Sequence, residues 1–514
     1  MDAPIGIQLI KKTTKIFELK GQRFLFFLQK CCFTKHLIKL YNHDNHKMNK
    51  ASKLFYNLRI FKTDIILVTA PAWDISQPPV GAAYLCGFLK SKHFRVKCLD
   101  FNIELYQLLK DKELWDLNNP DLFIDKQKFN DFSKGLDSFI DRCVQNILFF
   151  NPGVVGFSLY MSTLNFSSLL AERIKQLNSK ILIVGGGPEC KRLGEDYLKE
   201  SPFDIFILGE AEHSLANLMN CVKKKLSLRR VPGVLIKENG DVFFSGKEQK
   251  IEDVSSLPFP DYSNFDIEKY TQCILPISMS RGCINSCTFC ADTYIWGAYR
   301  FRKAESVFFE MKRMLKNYKH NKFVFVDSTF NGNIGEVEKL CDLIITAKMN
   351  ITWSAKVIPR KEMTFDLLKK MRLAGCDYLA YGVESGSQRV LDNMKKRVDL
   401  EDVKRVIKDT YLAGINACCF LIVGYPTETE NDFKKTLNFI KENHKYVHSF
   451  NQVTGCHIES NSFLGKNMAK YDVVFKEDGW HSPNSTPVIR KRRLERVKRL
   501  LQKCYPKIDV QVQP

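Results

Sequence analysis

The sequence predicts an α/β protein built from two successive parallel sheets, a doubly wound open sheet first and a partial (β/α)6 barrel second. Three observations predict it. Short aliphatic runs alternate with longer amphipathic stretches from Asp64 to Ser245; a proline-broken segment, 246–272, interrupts the pattern; and a second alternating series runs from Leu275 to Val453.

In the first series the expected strands are Ile65 to Thr69, Arg95 to Leu99, Val154 to Ser158, Ile181 to Val184 and Ile205 to Leu208, with helices such as Gly81 to Leu89 and Leu164 to Leu177 between them. Most of these strands are apolar on both faces, as a sheet covered by helices on both sides requires. Ligands bind such sheets beyond the carboxyl ends of the strands. Here those ends carry Pro78-Pro79-Val80-Gly81, Gly185-Gly186-Gly187-Pro188 and Gly209-Glu210-Ala211-Glu212. Glycine lets a backbone approach a bulky ligand, so a groove along this edge is one reading and a set of tight turns the other. No G-x-G-x-x-G opens a helix after the first strand, which excludes the dinucleotide fingerprint.

Leu257-Pro258-Phe259-Pro260-Asp261-Tyr262 is too interrupted by proline for a helix or a central strand. The chain therefore divides into a basic extension (1–60), a first α/β domain (61–245), a connector (246–272), a barrel (273–460) and a C-terminal extension with a basic helix (461–514). Barrel strands are expected at Leu275 to Ser280, Phe323 to Asp327, Ile351 to Lys356, Tyr378 to Val383, Cys418 to Val423 and Phe450 to Val453. Helices fall between them at Ala304 to Tyr318, Ile334 to Lys348, Thr364 to Ala374, Leu400 to Ala413 and Glu430 to His444. Such a barrel carries its active site at the carboxyl ends of its strands.

The first barrel strand runs into Arg281-Gly282-Cys283-Ile284-Asn285-Ser286-Cys287-Thr288-Phe289-Cys290, three thiols spaced C-x3-C-x2-C on one loop. Thiolates are the ligands of iron–sulfur clusters, and three of them leave one iron of a cubane open. A structural zinc site wants four protein ligands, and the next histidine is His320.

This loop resembles the defining C-x3-C-x-aromatic-C motif of the radical S-adenosylmethionine superfamily, and the resemblance covers about 250 to 460. It implies a 4Fe-4S cluster on Cys283, Cys287 and Cys290 whose open iron chelates S-adenosylmethionine. One-electron reduction then gives methionine and a 5′-deoxyadenosyl radical. By the same resemblance Phe289 lies beside adenine, Asp327 near the methionine amine, and Glu384 and Ser385, in Gly382-Val383-Glu384-Ser385-Gly386-Ser387, at ribose or amine. Gly424 and Pro426, in Gly424-Tyr425-Pro426-Thr427-Glu428-Thr429, match the family's turn beside adenine. The segment Gly455 to Ser462 lacks the Pro-Gly-Thr turn common in relatives, a departure at the substrate-facing edge.

A doubly wound, Rossmann-like domain ahead of such a barrel, joined by a Leu-Pro-x-Pro-Asp connector, is similar to the cobalamin-binding subfamily. That resemblance implies cobalamin contacts at Pro79, Gly81, Asn102, Ser158, Gly185, Gly186, Gly187 and Glu210. No D-x-H-x-x-G motif supplies a histidine to cobalt, so the corrin binds without a protein ligand or the domain has lost it. The reaction implied is methyl transfer to an unactivated carbon. Radical cyclisation, oxidation or rearrangement is the alternative, and an iron–sulfur carrier or an RNA-modifying protein the alternative from other classes. The partners expected are a small-molecule or natural-product substrate and a low-potential electron donor such as ferredoxin or flavodoxin.

The net charge of +21 invites a nucleic-acid reading that its distribution weakens. Residues 1–63 hold 13 basic and 3 acidic side chains, a net of +10, and 486–514 hold 9 and 2, a net of +7, leaving +4 for everything between. Arg490 to Lys507 reads as a solvated terminal helix. The apolar run Phe24 to Phe33 is far short of the roughly 20 residues of a membrane span and precedes no cleavage site. Residues 1–50 read as a basic extension, as sequence upstream of a start at Met48, or as a surface-lying amphipathic helix. Seventeen cysteines, an odd number and mostly isolated, suit a reducing cytoplasm.

Overall fold

A computed structural model describes residues 63–115, 120–506 and 512–513; the expected extension over 1–60 lies outside the described residues. The first aliphatic run, Ile-Ile-Leu-Val-Thr, forms β1 (Ile65–Thr69), buried along its length. It lies second from one edge of a seven-stranded sheet ordered β2-β1-β3-β4-β5-β6-β7, where β2 is Val96–Asp100, β3 Val154–Ser158, β4 Leu182–Gly186, β5 Ile205–Ile207, β6 Val234–Glu238 and β7 Asp241–Phe244. The first five strands are parallel, with helices such as Val80–Ser91 and Leu164–Leu177 in the crossovers. Pro79 precedes the first of these with φ −68°, already close to helical.

The sheet is mixed, where the sequence pattern led us to expect a parallel one. β5 pairs antiparallel with β6, and β6 with β7, through a turn at Asn239 (φ 51°) and Gly240 (φ 87°). Asn-Gly between β-branched and aromatic runs is a strong hairpin signal. A hairpin needs no crossover helix, so it extends the sheet without the alternation that betrayed the other strands.

The second sheet is parallel throughout and ordered β18-β15-β14-β13-β12-β11-β8. Its strands are β8 (Leu275–Ile277), β11 (Lys322–Phe325), β12 (Thr352–Val357), β13 (Cys376–Glu384), β14 (Asn416–Val423), β15 (Ser449–Gly455) and the short β18 (Val512–Gln513). β8 and β18 are separate edges, so the barrel is partial. Two small antiparallel ladders lie outside it, β9 (Ser280–Arg281) with β10 (Arg300–Phe301) and β16 (Val474–Lys476) with β17 (Gly479–His481). The sequence missed both. Phe325, Phe330 and Trp353 meet at centroid distances of 4.4, 5.3 and 5.5 Å and fill the space between β11, β12 and their helices.

Both sheets belong to one compact unit, Thr63–Ile147 with Pro152–Pro514. The connector lies along helix Val80–Ser91, where Asp261 N–H donates to Ala83 O (2.9 Å) and its carboxylate pairs with Lys90 (2.7 Å). Any Cβ on Gly87 would strike the Phe259 carbonyl. From the same helix Tyr84 donates to Glu310 (3.1 Å), which pairs with Arg302 (2.7 Å), joining the first domain to the barrel's first helix.

The C-terminal helix, Pro487–Cys504, corrects the expectation of a solvated basic helix. Thr486 caps it, Pro487 opens it, and Arg493, Leu494, Val497 and Leu501 are buried against β15 and helix Glu430–Asn443. Exposed cations, among them Lys491, Arg492, Lys498 and Arg499, cover only its outer face. Arg493 pairs with Glu428 at 3.0 Å, both almost wholly buried. Among the described residues no helix is long and apolar enough to cross a membrane.

Candidate functional site

The β9–β10 ladder pairs Arg281 with Arg300 and so pinches the base of the loop 282–299, which carries all three cysteines. Gly282 begins it at φ 77°, with the Ala298 carbonyl 3.1 Å from where a Cβ would stand, a turn suited to glycine. The carboxylate of Asp327 fixes the loop's stem: it accepts from Met279 N–H (3.0 Å), from Ser280 N–H and from Ser280 Oγ (2.6 Å). Its burial raises the carboxyl to about 6 despite those donors. Asp327 thus stands two residues past β11, and its acceptors serve the loop itself.

The loop's far side is fastened as firmly. Asn285 Nδ2 donates to Lys396 O (2.7 Å), Thr288 N–H to Met394 O (2.9 Å), and the Thr288 hydroxyl bonds Tyr425 OH (2.7 Å). Leu464 N–H donates to Thr288 O (2.7 Å), so the C-terminal extension also holds the loop. Phe289 is partly buried against Tyr425, Val390, Met394, Leu464 and Trp480, a second apolar core.

The three thiols fit a cluster. Cys283 and Cys287 each act electrostatically on Cys290, and Cys283 on Cys287, which places them around one space. Asn285 N–H points at Cys283 Sγ (3.4 Å) and Asp292 N–H at Cys290 Sγ (3.5 Å), donors of the kind that stabilise sulfur bearing charge. Thr329 Oγ1 lies 2.8 Å from Cys283 Sγ. Among the described residues no three His, Cys, Asp or Glu side chains gather as ligands of a single ion; in a cubane each cysteine binds its own iron, so convergence on a point is not the geometry needed.

Burial pushes the Cys287 thiol up to about 11, although Lys396 works against it, and the Cys290 thiol up to about 12. Iron must displace those protons. Between pH 7 and pH 9 the thiolate fraction of each rises about tenfold per unit. Cluster assembly from iron and sulfide is therefore expected to accelerate over that range, as absorbance near the iron–sulfur charge-transfer band will report; a rate independent of pH would contradict it.

Beside Cys287 lies a buried ion pair, Lys396 Nζ to Glu384 Oε1 at 2.8 Å. Glu384 ends β13 at φ 66°, a left-handed conformation that costs about 1–3 kcal/mol in a non-glycine residue and recurs at functional sites. A Cβ on Gly382 would stand 2.5 Å from Glu384 Oε1 and 2.7 Å from Lys396 Nζ, so glycine there makes room for the pair. Burial works against the charge on Lys396, but the Glu384 carboxylate outweighs it and holds the ammonium charged. Lys396 is not legible as a site residue in the sequence, because it sits in Met394-Lys395-Lys396-Arg397, a run that reads as solvated charge.

The remaining barrel residues divide. Ser385 is fully buried, its hydroxyl 3.3 Å from Thr436 and accepting from Ser387 N–H (3.2 Å), so it ties β13 to helix Glu430–Asn443. Gly424 (φ 80°) and Pro426 are clasped from the C-terminal extension: Ser485 Oγ donates to Gly424 O (2.6 Å) and Ser482 Oγ to Pro426 O (2.9 Å). Gly424 N–H donates to Glu428 (2.8 Å), whose burial raises it to about 7 against the pull of Arg493.

In the first sheet the glycines differ in kind. Nothing lies within 4 Å of where a Cβ would stand on Gly81 or Gly186, so both face open space, Gly186 at the end of β4 and Gly81 in the first turn of helix Val80–Ser91. Gly185 is glycine because Leu159 and Phe206 crowd it at 2.7 Å, and Gly187 because its φ is 113° and Leu159 O stands 2.7 Å away. Thr69 Oγ1, at the end of β1, is buried without a partner. Open glycines and an unanswered polar atom along one edge suit a bulky polar cofactor such as cobalamin. Pro79 accepts from Ala83 N–H (3.1 Å), Ser158 O from Thr163 Oγ1 (3.1 Å), and Asn102 Oδ1 from Trp73 N–H (2.7 Å). Glu210 is committed inside the protein, to Arg300 (2.9 Å), Arg281 (3.1 Å) and Ile251 N–H (2.7 Å).

Residues 277–440 match the model of the radical SAM superfamily, and 126–219 that of the B12 binding domain. An uncharacterized methyltransferase of Pyrococcus horikoshii is 26% identical over 372 residues, 71% of this chain and 73% of that protein. The anaerobic magnesium-protoporphyrin IX monomethyl ester cyclase of Rubrivivax gelatinosus is 24% identical over 71% of this chain, which spans 62% of the cyclase. Among solved structures, the radical S-adenosylmethionine methyltransferase TsrM of Kitasatospora setae, with cobalamin and a [4Fe-4S] cluster bound, aligns over 80% of this chain and 78% of its own with TM-score 0.59 at 14% identity, a likeness of fold.

Proposed function

We propose, from the premise that this chain is a radical S-adenosylmethionine enzyme with a B12-binding domain ahead of its barrel, that it transfers a methyl group to an unactivated carbon of a small molecule or natural product. The observation that carries the reading is one loop presenting Cys283, Cys287 and Cys290 beside a buried Lys396–Glu384 pair, in a protein whose other sheet ends β4 on the open Gly186. When bound, the cluster with S-adenosylmethionine supplies the 5′-deoxyadenosyl radical and cobalamin the methyl group.

The chain's own residues bind, orient and exclude. The Lys396–Glu384 pair complements an amino-acid zwitterion, ammonium of Lys396 to carboxylate and carboxylate of Glu384 to α-amine, and trading partners keeps each charge paired in a buried site. Asp327 holds the stem of the cysteine loop. Phe289 and the Gly424–Pro426 turn offer a flat apolar wall for adenine, backed by Tyr425 and Trp480, which keep water from that side. The electron comes from a low-potential carrier such as ferredoxin or flavodoxin, in the reducing cytoplasm.

Anaerobic reconstitution with iron and sulfide, followed by hydroxocobalamin and gel filtration, tests the reading. About one corrin per chain is expected to co-elute, and reductant with S-adenosylmethionine to yield 5′-deoxyadenosine. Corrin that elutes free of the protein overturns methyl transfer and favours the second reading, radical cyclisation, which the resemblance to the cyclase supports.

A further inference from the structure

In the first sheet β2 lies on one side of β1 and β3 on the other, so the loops leaving β1 and β3 diverge and open the crevice where a sheet of this order takes its ligand. Two aromatic rings occupy that crevice. Trp73, just past β1, stacks on Tyr160, just past β3, with centroids 3.7 Å apart and planes 15° apart. Both remain partly accessible.

The stack is built rigidly. Trp73 N–H donates to Asn102 Oδ1 (2.7 Å), Trp73 O accepts from Trp115 Nε1 (3.1 Å), and Asn102 Nδ2 donates to Asp74 O (3.2 Å). The residue before it, Ala72, exchanges hydrogen bonds with Ser162, Oγ to Ala72 O at 2.7 Å and Ala72 N–H to Ser162 O at 3.3 Å. Three neighbouring segments thus hold the backbone that carries Trp73, and the ring itself is held by its stack on Tyr160. Thr69 Oγ1, buried and unpartnered, and the open Gly186 flank the same edge.

No histidine stands there. Between 63 and 245 the histidines are His93, before β2 at the opposite end of the sheet, and His213, whose ring meets Phe88 edge-on at 5.2 Å. We propose that the Trp73–Tyr160 stack is the platform on which the corrin's flat face rests, in the place a histidine ligand to cobalt would take. An aromatic face offers a planar macrocycle dispersion over a wide area and offers the metal no lone pair.

This inference rests on the cobalamin reading, and the test separates the two. Hydroxocobalamin is titrated into reconstituted wild type, Trp73→Ala, Tyr160→Ala and Trp73→Phe, with cluster absorbance as the check on folding. The alanine variants are expected to bind about tenfold or more weakly, and Trp73→Phe within about threefold of wild type. Trp73→His, loaded with cob(II)inamide, which has no benzimidazole of its own, is expected to show nitrogen superhyperfine splitting in its electron paramagnetic resonance spectrum that wild type lacks. Undiminished affinity in both alanine variants, or a Trp73→His spectrum without nitrogen coupling, overturns the platform while cobalamin binding stands. Wild type that takes up no corrin overturns the cobalamin reading, and the platform with it. Should the alanine variants lose the cluster absorbance, Trp73→Phe and Trp73→His, which keep a ring in place, decide the matter.

Discussion

Replacement of Cys287 by alanine is expected to abolish 5′-deoxyadenosine formation. Loss of a group that merely supports a metal ligand costs about 10–100-fold in affinity or activity. Loss of one of three direct ligands therefore costs about 10³-fold or more, in cluster content and in turnover. The fold is expected to survive, because Cys287 contributes to no core cluster, whereas Thr288 and Asn285 anchor the loop through bonds the substitution leaves alone. Cys341→Ala is the matched control. That thiol is fully buried behind the barrel, so its loss costs about 1 kcal/mol of stability and leaves iron content unchanged. Full deoxyadenosine production by Cys287→Ala, or iron loss equal in both variants, would remove the loop from the chemistry.

The sequence made the strands legible wherever an aliphatic run was bounded by a helix of the right period, which is why β1, β3 and β11 to β15 fall within a few residues of expectation. It failed where pairing needs no helix. The β6–β7 hairpin is a local antiparallel contact, and the β9–β10 ladder consists of two-residue strands at the two ends of the loop 282–299, too short to show a period. The site divides in the same way. Three cysteines at fixed spacing on a loop are a pattern, whereas Lys396 becomes functional only because Gly382 leaves room for it beside Glu384. The basic helix at the C-terminus looked solvated because its charges outnumber its leucines. What seats it is the buried stripe of Leu494, Val497 and Leu501 together with one arginine, Arg493, whose partner Glu428 lies in the turn that carries Gly424 and Pro426. Partnership across 65 residues leaves no trace in composition.

Glu210 shows the same limit most sharply and carries the second large prediction. A Gly-Glu-Ala-Glu segment past a strand invites a ligand contact, yet its two carboxylates close a buried quartet with the arginines paired at the base of the cysteine loop. Arg281 reaches Glu210 (3.1 Å) and also Glu212, and Arg300 reaches Glu210 (2.9 Å). Burial alone would raise the Glu210 carboxyl; Arg300, Arg281 and Ile251 N–H together hold it below its ordinary value. With the folded value depressed, its contribution to stability is present above the unfolded pKa of about 4.3 and is lost as pH falls through the folded one. Glu210→Ala leaves Arg281 with Glu212 alone and the buried Arg300 with no carboxylate, a change that costs about 3–5 kcal/mol. A lower thermal midpoint is expected, together with a drop in 5′-deoxyadenosine yield, because the stem that aims Cys283 has lost its anchor. Hydroxocobalamin affinity, measured well below the midpoint, is expected to change little. An unaltered midpoint with lost corrin binding would instead turn Glu210 outward, toward the cofactor. An outward carboxylate could not then pair with Arg281 and Arg300, so the same experiment decides whether the first sheet steers the radical loop through charge.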